Sequence, residues 1–575
     1  MRIFEDLLAI RQAFPMDEGE PFAVSMSELA ELLYCSQRNV KNLLMKMEQS
    51  KWITFTSGKG RGHMTVMTYL LSKEAILQQI AESYVKEGNI AGAADFLKQY
   101  SEEDVLTSQF LNWLSNYFGV SVVENVEMLK LPIYRAINTL DPAEAYYSLD
   151  SHLVTQVFDT LVKYNFETKE IEPSLSHHWE VNVTGTEWTF HLRKRVYFHD
   201  GKELTSADVQ NSLERLRDDK LHWVAANIAE IEAISRYSVK IFLYEPNYLL
   251  LHFLSYTPCS IVSKVASRIG TGPYKALSQN ADTCVFEAHD HYFSGRAFID
   301  RIEILRVPDI TGFEPKFHLL TVNTGETEKS TISDWGEEEL LCGTSVLTLN
   351  AKKTGPLQDR NFRKALYHLI NREELAEELG GPRYRPAHSF QLDLCERTDD
   401  VMYDWKEALE ALQASSYDGE ILHLYTYERH LPDALWLQEK YKRFGIALEI
   451  TILPWKDLLN SSIIERADFI LFEVVMSEGI IRLIEAYMSP AGFIKPHLDE
   501  SLSMEVETRV KRALSNQGID TIYRELHQIE EIIKAQYGLL FLNYKTVSTL
   551  SHESLQGVKV NGKGWVDFPK IWFKH

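Results

Sequence analysis

The chain has 575 residues, 45% of them hydrophobic and 25% charged, and a formal net charge of −22 at pH 7. That length predicts several domains, and the balance is that of a globular protein rather than a disordered or fibrous one. An anionic total excludes nucleic-acid binding over the whole surface, because phosphate contacts need cations, and no apolar run approaches the roughly 18 residues of a membrane span. The start, Met1-Arg2-Ile3-Phe4-Glu5-Asp6, has no basic region followed by an apolar run, so no secretory signal is expected. Five scattered cysteines (Cys35, Cys259, Cys284, Cys342, Cys395) fit a reduced, cytoplasmic compartment.

The charge is unevenly placed. Residues 1–70 carry eight Lys/Arg and eight Asp/Glu, so the whole −22 lies beyond residue 70. From Arg38 to Arg61 there are six cations and one anion, a local +5. This patch falls on a recognisable pattern. Ser25-x-x-Glu28 is a capping-box signature, and Leu29, Leu32 and Leu33 mark one face of a short helix. Tyr34-Cys35 supplies a turn and Ser36 a second N-cap. Val40, Leu43, Leu44 and Met47 then recur at i, i+3, i+4, i+7, the buried stripe of a second helix, which puts Arg38, Asn42, Met45 and Gln49 on the far side. Such a helix would present Ser36, Gln37, Arg38, Asn39, Lys41 and Asn42 to the major groove of double-stranded DNA. Trp52–Thr56 and Met64–Leu70 alternate as strands around Ser57-Gly58-Lys59-Gly60-Arg61-Gly62-His63. That is a β-hairpin wing whose tip would bring Lys59 and Arg61 to phosphate or the minor groove. The glycines do not have G-x-G-x-x-G spacing and a strand follows them, so they are not a phosphate loop.

The segment Ser27-Glu28-Leu29-Ala30-Glu31-Leu32-Leu33-Tyr34-Cys35-Ser36-Gln37-Arg38-Asn39-Val40, with Trp52-Ile53 and Gly60-Arg61-Gly62 after it, resembles the N-terminal domain of the SgrR family of bacterial transcriptional regulators. Residues 71–118 look like that domain's helical extension, a hairpin around Gly88-Asn89 packed by Ala75, Ile76, Ile80, Tyr84, Ala94, Leu97 and Tyr100.

Beyond about residue 130 the pattern changes. Strand-like Trp188–Arg193 is followed by Phe198-His199-Asp200-Gly201 and by Thr205-Ser206-Ala207-Asp208-Val209, a capped helix start. With Leu140-Asp141-Pro142, Gly270-Thr271-Gly272-Pro273-Tyr274, Asp359–Leu366, Ala467-Asp468-Phe469 and Gly564–Phe568 in the same order, the segment from 130 to 575 resembles the peptide/nickel class of solute-binding proteins of ABC importers. The whole chain is thus expected to be a multidomain α+β protein: a winged helix-turn-helix with helical extension over 1–118, then a two-lobed, type II periplasmic-binding-protein-like α/β domain over 119–575. Lobe 1 is expected at about 130–306 plus 541–575 and lobe 2 at about 307–540. The resemblance implies lobes that close on a ligand, and a small-molecule effector (a peptide, a sugar phosphate or another metabolite) between them.

Cleft residues are less legible. Tyr274 follows a Gly-Pro turn that would let backbone approach a ligand. Peptide binders of the class pair an Asp with the peptide amino group. No Asp stands in the stretch Ile470–Gly479 that continues Ala467-Asp468-Phe469 here, and Glu473 or Glu478 is the candidate substitute. Adjacent His177-His178 point apart and make a poor metal pair. His199-Asp200 reads as a turn, and no G-x-S-x-G, H-E-x-x-H, C-x-x-C or Walker pattern is present. Neither enzyme activity nor a cofactor nor a membrane partner is expected. Winged helices often act in pairs, so a homodimer is a candidate state, although no heptad segment specifies one. The alternative is an oligopeptide-type solute-binding protein of transport or scavenging that does not bind DNA.

Overall fold

The structure is a computed structural model that describes residues 2–57, 64–100, 104–217, 221–266, 268–307, 319–322, 335–390, 403–476 and 478–574. The described chain forms two compact units. One is residues 2–118 with 132–135 and 305–307, and the other is the remainder.

The first unit begins with a helix and strand that the sequence reading did not anticipate, α1 (Arg2–Ala13) and β1 (Pro21–Val24). Phe4, Leu7 and Ile10 are spaced by three and all are buried, so α1 is an amphipathic helix docked by one stripe. Next come α2 (Met26–Leu32), α3 (Gln37–Gln49), β2 (Ile53–Thr56) and β3 (Thr65–Tyr69). The strands form one antiparallel sheet in the order β1-β3-β2, so the expected two-stranded wing is a three-stranded sheet. The helical extension is α4 (Lys73–Lys86), α5 (Ile90–Tyr100) and α6 (Asp104–Tyr117). Ser72 caps α4 by accepting the Ala75 amide at 3.1 Å, and Gly88 turns the chain with φ +82°. The buried stripe is Ile76, Leu77, Ala81 and Val85 against Ile90, Ala93, Phe96 and Leu97. Ala75 is exposed, and Ile80, Tyr84 and Ala94 are only half-buried, so the expected stripe is rotated by about one residue. Phe4 meets Phe96 and Tyr100 edge-on at centroid distances of 5.6 and 5.4 Å, which joins α1 to the extension.

The second unit is built on three larger sheets. A four-stranded antiparallel sheet orders Ile228–Ser235, Ser238–Leu243, Glu187–Leu192 and Ser176–Val181. Trp188, Phe190 and Leu192 point inward from it on alternate positions, as period-two sequence dictates. A five-stranded sheet orders Tyr274–Gln279, Thr283–Ala288, Arg301–Arg306, Val126–Ile133 and Gly119–Val123. Helix Ser206–Glu214 starts on Thr205, one of the two caps expected, with Asp208 completing a capping box. Gly270 and Gly272 are glycines for steric reasons: a Cβ would stand 2.0 Å from the Val157 carbonyl oxygen at the first and 2.5 Å from the Val157 carbonyl carbon at the second. The Gly272 amide donates to that Val157 carbonyl at 2.9 Å. The Gly-Thr-Gly segment is therefore a close backbone crossing inside lobe 1.

The largest sheet belongs to lobe 2. It runs Leu319–Val322, Leu539–His552, Trp335–Leu349, Phe469–Val475, Leu422–Thr426 and Leu448–Ile452, with Arg383–Pro386 also paired to Leu539–His552. The expected return of the chain to lobe 1 at 541 needs correcting. Leu539, Leu540, Phe541 and Leu542 are all buried, which is the pattern of an interior strand covered on both faces, and the strand stays in this sheet to His552. Only the tail beyond it reaches lobe 1, where Ser148 Oγ donates to the Lys563 carbonyl at 2.7 Å and His152 stacks on Trp565 at 5.8 Å.

Helix Ile519–Ala535 closes lobe 2 and buries Glu530, whose carboxylate accepts the Phe390 amide at 3.0 Å. Burial pushes the Glu530 carboxyl up to about 7. From its ordinary value of 4.5 up to that point, the folded chain holds a proton that the unfolded chain has released, so stability falls as pH rises through this window. Glu530→Gln is expected to flatten that dependence. Its melting temperature relative to the parent chain should rise between pH 5 and pH 8, and parallel pH profiles of the two proteins would count against it.

Candidate functional site

Two places in the chain carry the groups that matter. The first is the exposed face of α3. The Ser25 hydroxyl accepts the Glu28 amide at 3.1 Å while the Glu28 carboxylate accepts the Ser25 amide at 2.8 Å, so the reciprocal capping box fixes the start of α2. Ser36 caps α3 by accepting the Asn39 amide at 3.3 Å. Val40, Leu44 and Met47 are fully buried and Leu43 half-buried, which docks α3 by one stripe. Ser36, Gln37, Arg38, Asn39, Lys41 and Asn42 are all exposed. Glu48, the only acid between Arg38 and Arg61, accepts the Phe55 amide at 3.3 Å. Its charge is thus engaged with β2. Tyr34 lies in the expected turn. It adopts the left-handed conformation at φ 47° and is 97% exposed, a large ring projecting from the joint between α2 and α3. Lys59 and Arg61, the expected wing tip, lie outside the described residues.

The second place is the seam between the lobes. Glu478 precedes helix Ile480–Met488 of lobe 2, and its carboxylate meets three groups of lobe 1. It accepts the Thr257 amide at 2.9 Å and the Thr257 hydroxyl, and it pairs with Lys563 Nζ at 3.0 Å. Burial pushes its carboxyl up, but Lys563 and Arg482 outweigh that and hold it below the usual carboxylate range. Beside it, Tyr256 of lobe 1 donates to Glu485 at 2.6 Å, and Arg482 pairs with Glu485. Further along the seam Tyr147 of lobe 1 lies 5.6 Å from Trp455 of lobe 2, which also meets Tyr427 at 5.1 Å and Phe493 at 5.6 Å. Tyr147, Tyr427 and Trp455 are half-buried aromatic faces. Nothing in their sequence spacing marks them, since they come from three distant segments.

Three expected ligand contacts need correcting. Tyr274 is a core residue of the five-stranded sheet: it is wholly buried, its hydroxyl donates to the Ile299 carbonyl at 3.3 Å, and its ring packs on Phe286. Glu473 sits on strand Phe469–Val475 with its carboxylate buried against Arg429 Nη1 at 3.1 Å, so its charge is used within lobe 2. Glu478 does lie between the lobes, but the cation it holds is the chain's own Lys563. His199 and Asp200 do not pair with each other. His199 Nε2 faces the Gly272 carbonyl at 3.1 Å and Asp200 binds Lys202 at 2.9 Å, an ordinary turn.

Comparison with known proteins divides the chain at the same junction. Residues 4–119 match the family "Sugar transport-related sRNA regulator N-term", and residues 170–312 and 320–478 match "Bacterial extracellular solute-binding proteins, family 5 Middle". The HTH-type transcriptional regulator SgrR of Photorhabdus laumondii is 25% identical, with 97% of this chain and 96% of that protein covered. The chain belongs to the SgrR family of transcriptional regulators. Another full-length relative, the uncharacterized protein YhjP of Bacillus subtilis strain 168, is 30% identical, with 100% of both chains covered. For the second unit, the periplasmic binding protein DppA of Helicobacter pylori, solved with the peptide STSA, superposes with a TM-score of 0.68 at 21% identity, over 78% of this chain and 98% of that one. That likeness establishes the two-lobed solute-binding fold. In this SgrR-family chain the regulator part and the solute-binding part are thus one polypeptide. No helix of the described residues is long and apolar enough to cross a membrane.

Proposed function

We propose that the chain is a cytoplasmic, DNA-binding transcription regulator whose two-lobed part binds a small molecule between its lobes. The observation that carries this reading is the exposed set Gln37, Arg38, Asn39, Lys41 and Asn42 on α3, on the same chain as a solute-binding fold. Arg38, Asn39 and Asn42 are the side chains suited to base edges, and Lys41, with Lys59 and Arg61 of the wing segment, to phosphate. The half-buried rings of Tyr147, Tyr427 and Trp455 offer the effector a stacking surface at the seam. A ligand that favours one lobe arrangement changes affinity for DNA, and by linkage DNA changes affinity for the ligand by the same factor.

Native mass spectrometry of protein taken from cell extract tests this directly, since it reads a retained small molecule and counts subunits at once. Trp455→Ala should then weaken binding of that molecule about 10-fold or more while duplex DNA affinity without it stays within about 2-fold. Equal ligand binding by the variant would remove the aromatic seam from the effector site.

A further inference from the structure

The ammonium of Lys563 has three N–H donors, and three oxygens surround it: Ser151 Oγ at 2.8 Å, Thr257 Oγ1 at 2.9 Å and Glu478 Oε1 at 3.0 Å. The Lys563 side chain is only 10% exposed and that of Glu478 8%. Lys563 is carried by the tail that returns to lobe 1, where Asn561 faces His152 at 3.3 Å and Ser148 holds the Lys563 carbonyl. Glu478 is carried by lobe 2, immediately before a helix that also packs on lobe 1 helix Leu250–Ser255. We propose that this pocket is an inter-lobe site for a primary ammonium that the chain fills with its own Lys563, so that the effector is a molecule without a primary ammonium group for this site.

The inference rests on the sensor reading and narrows its ligand class. Every donor of the ammonium has an acceptor, and the four charges at the seam, Lys563 and Arg482 against Glu478 and Glu485, sum to zero. A free amino terminus entering here would add a second cation where the ammonium position is already filled, or would have to expel Lys563, which would leave that side chain without its carboxylate. Both are costly, because a buried charge is tolerated only when paired and hydrogen-bonded. Ligands that bring neutral or anionic groups to the aromatic side of the seam leave the pocket undisturbed.

The test uses the full-length protein and n-propylammonium, which supplies the three carbons and nitrogen that Lys563→Ala removes. The variant should melt below the parent chain, and millimolar n-propylammonium, but not n-propanol, should raise its melting temperature by about 2 °C or more. The parent chain should show no such shift, and calorimetry should show no heat with trialanine, a peptide with a free amino terminus. A double variant, Lys563→Met with Glu478→Gln, removes both charges and should neither unfold nor respond to the amine. The proposal is overturned if n-propylammonium or trialanine binds the parent chain with sub-millimolar affinity, or if Lys563→Ala ignores the amine. None of these readouts involves DNA or the natural effector. Loss of the sensor reading would appear instead as a parent chain that retains no small molecule, with amine rescue of the variant intact.

Discussion

Arg38→Ala is expected to lower affinity for the preferred duplex about 10–100-fold and to flatten the difference between that duplex and others. The reason is position. Arg38 lies one residue into α3, whose start is fixed by the Ser36 cap and whose opposite face is locked by Val40, Leu44 and Met47. A rigidly placed guanidinium near a helix N-terminus can make a bidentate contact to guanine, and a contact of that kind discriminates by about 1–3 kcal/mol. Lys41→Ala, also exposed but suited to phosphate, should instead weaken all duplexes by a similar small factor and lower the salt dependence by about one counterion. The wing variants Lys59→Ala and Arg61→Ala should behave like Lys41→Ala. The preferred duplex can be recovered by selection from a randomised pool, and affinities read by fluorescence anisotropy. Unchanged discrimination in Arg38→Ala would remove α3 as the reading helix.

Asp433→Asn is expected to cost about 3–5 kcal/mol of stability, the usual penalty for removing one member of a buried charge group. Arg383 and Lys545 are cross-strand partners on neighbouring strands of the lobe 2 sheet, so the register itself places two cations side by side. Asp433, wholly buried on helix Leu431–Lys442, answers both. Arg383 Nε and Nη2 reach its two oxygens at 3.0 and 2.6 Å, and Lys545 Nζ lies 3.4 Å away. Burial pushes this carboxyl up, but the two cations outweigh it and hold it down at about 2. Because the folded value lies below the ordinary 3.8, the contribution is present above about pH 4 and lost as pH falls toward 2. Asparagine keeps the shape and removes the charge. Denaturant unfolding at pH 7 should show the loss, and the difference between parent and variant should shrink below pH 4. An equal stability at pH 7 would mean that the two cations do not need the carboxylate.

Much of this was legible in residues close together in sequence. The capping box Ser25/Glu28, the capped helix start at Thr205 and the 3.6-residue stripe of α3 need no distant partner to be read, and each stands where expected. The stripe Phe4, Leu7 and Ile10 of α1 is short and carries no capping signature such as Ser25/Glu28 to mark it as a helix. Strand Leu539–His552 was assigned too early to lobe 1, because a continuous apolar run does not say which sheet will cover it. The seam was least legible. Tyr274 and Glu473 are plausible by segment, but Tyr274 is packed in its own sheet and Glu473 is paired with Arg429 inside lobe 2. Lys563 was invisible as a partner of Glu478, since 85 residues separate them and only the return of the tail to lobe 1 brings the charges together.

The charge distribution fits a chain with one DNA-facing surface. The net −22 lies beyond residue 70, while Arg38–Arg61 is locally +5, so on the proposed reading phosphate contacts would concentrate on the reader segment. The measurement that tests this account most directly is binding of the full-length chain to its selected duplex and to a scrambled duplex of equal length, over 50 to 300 mM salt. The account predicts about 1,000-fold or greater preference for the selected duplex, and affinity that falls linearly on a log–log plot with a slope reporting several released counterions. Equal affinity for both duplexes, or no binding at 50 mM salt, would contradict it.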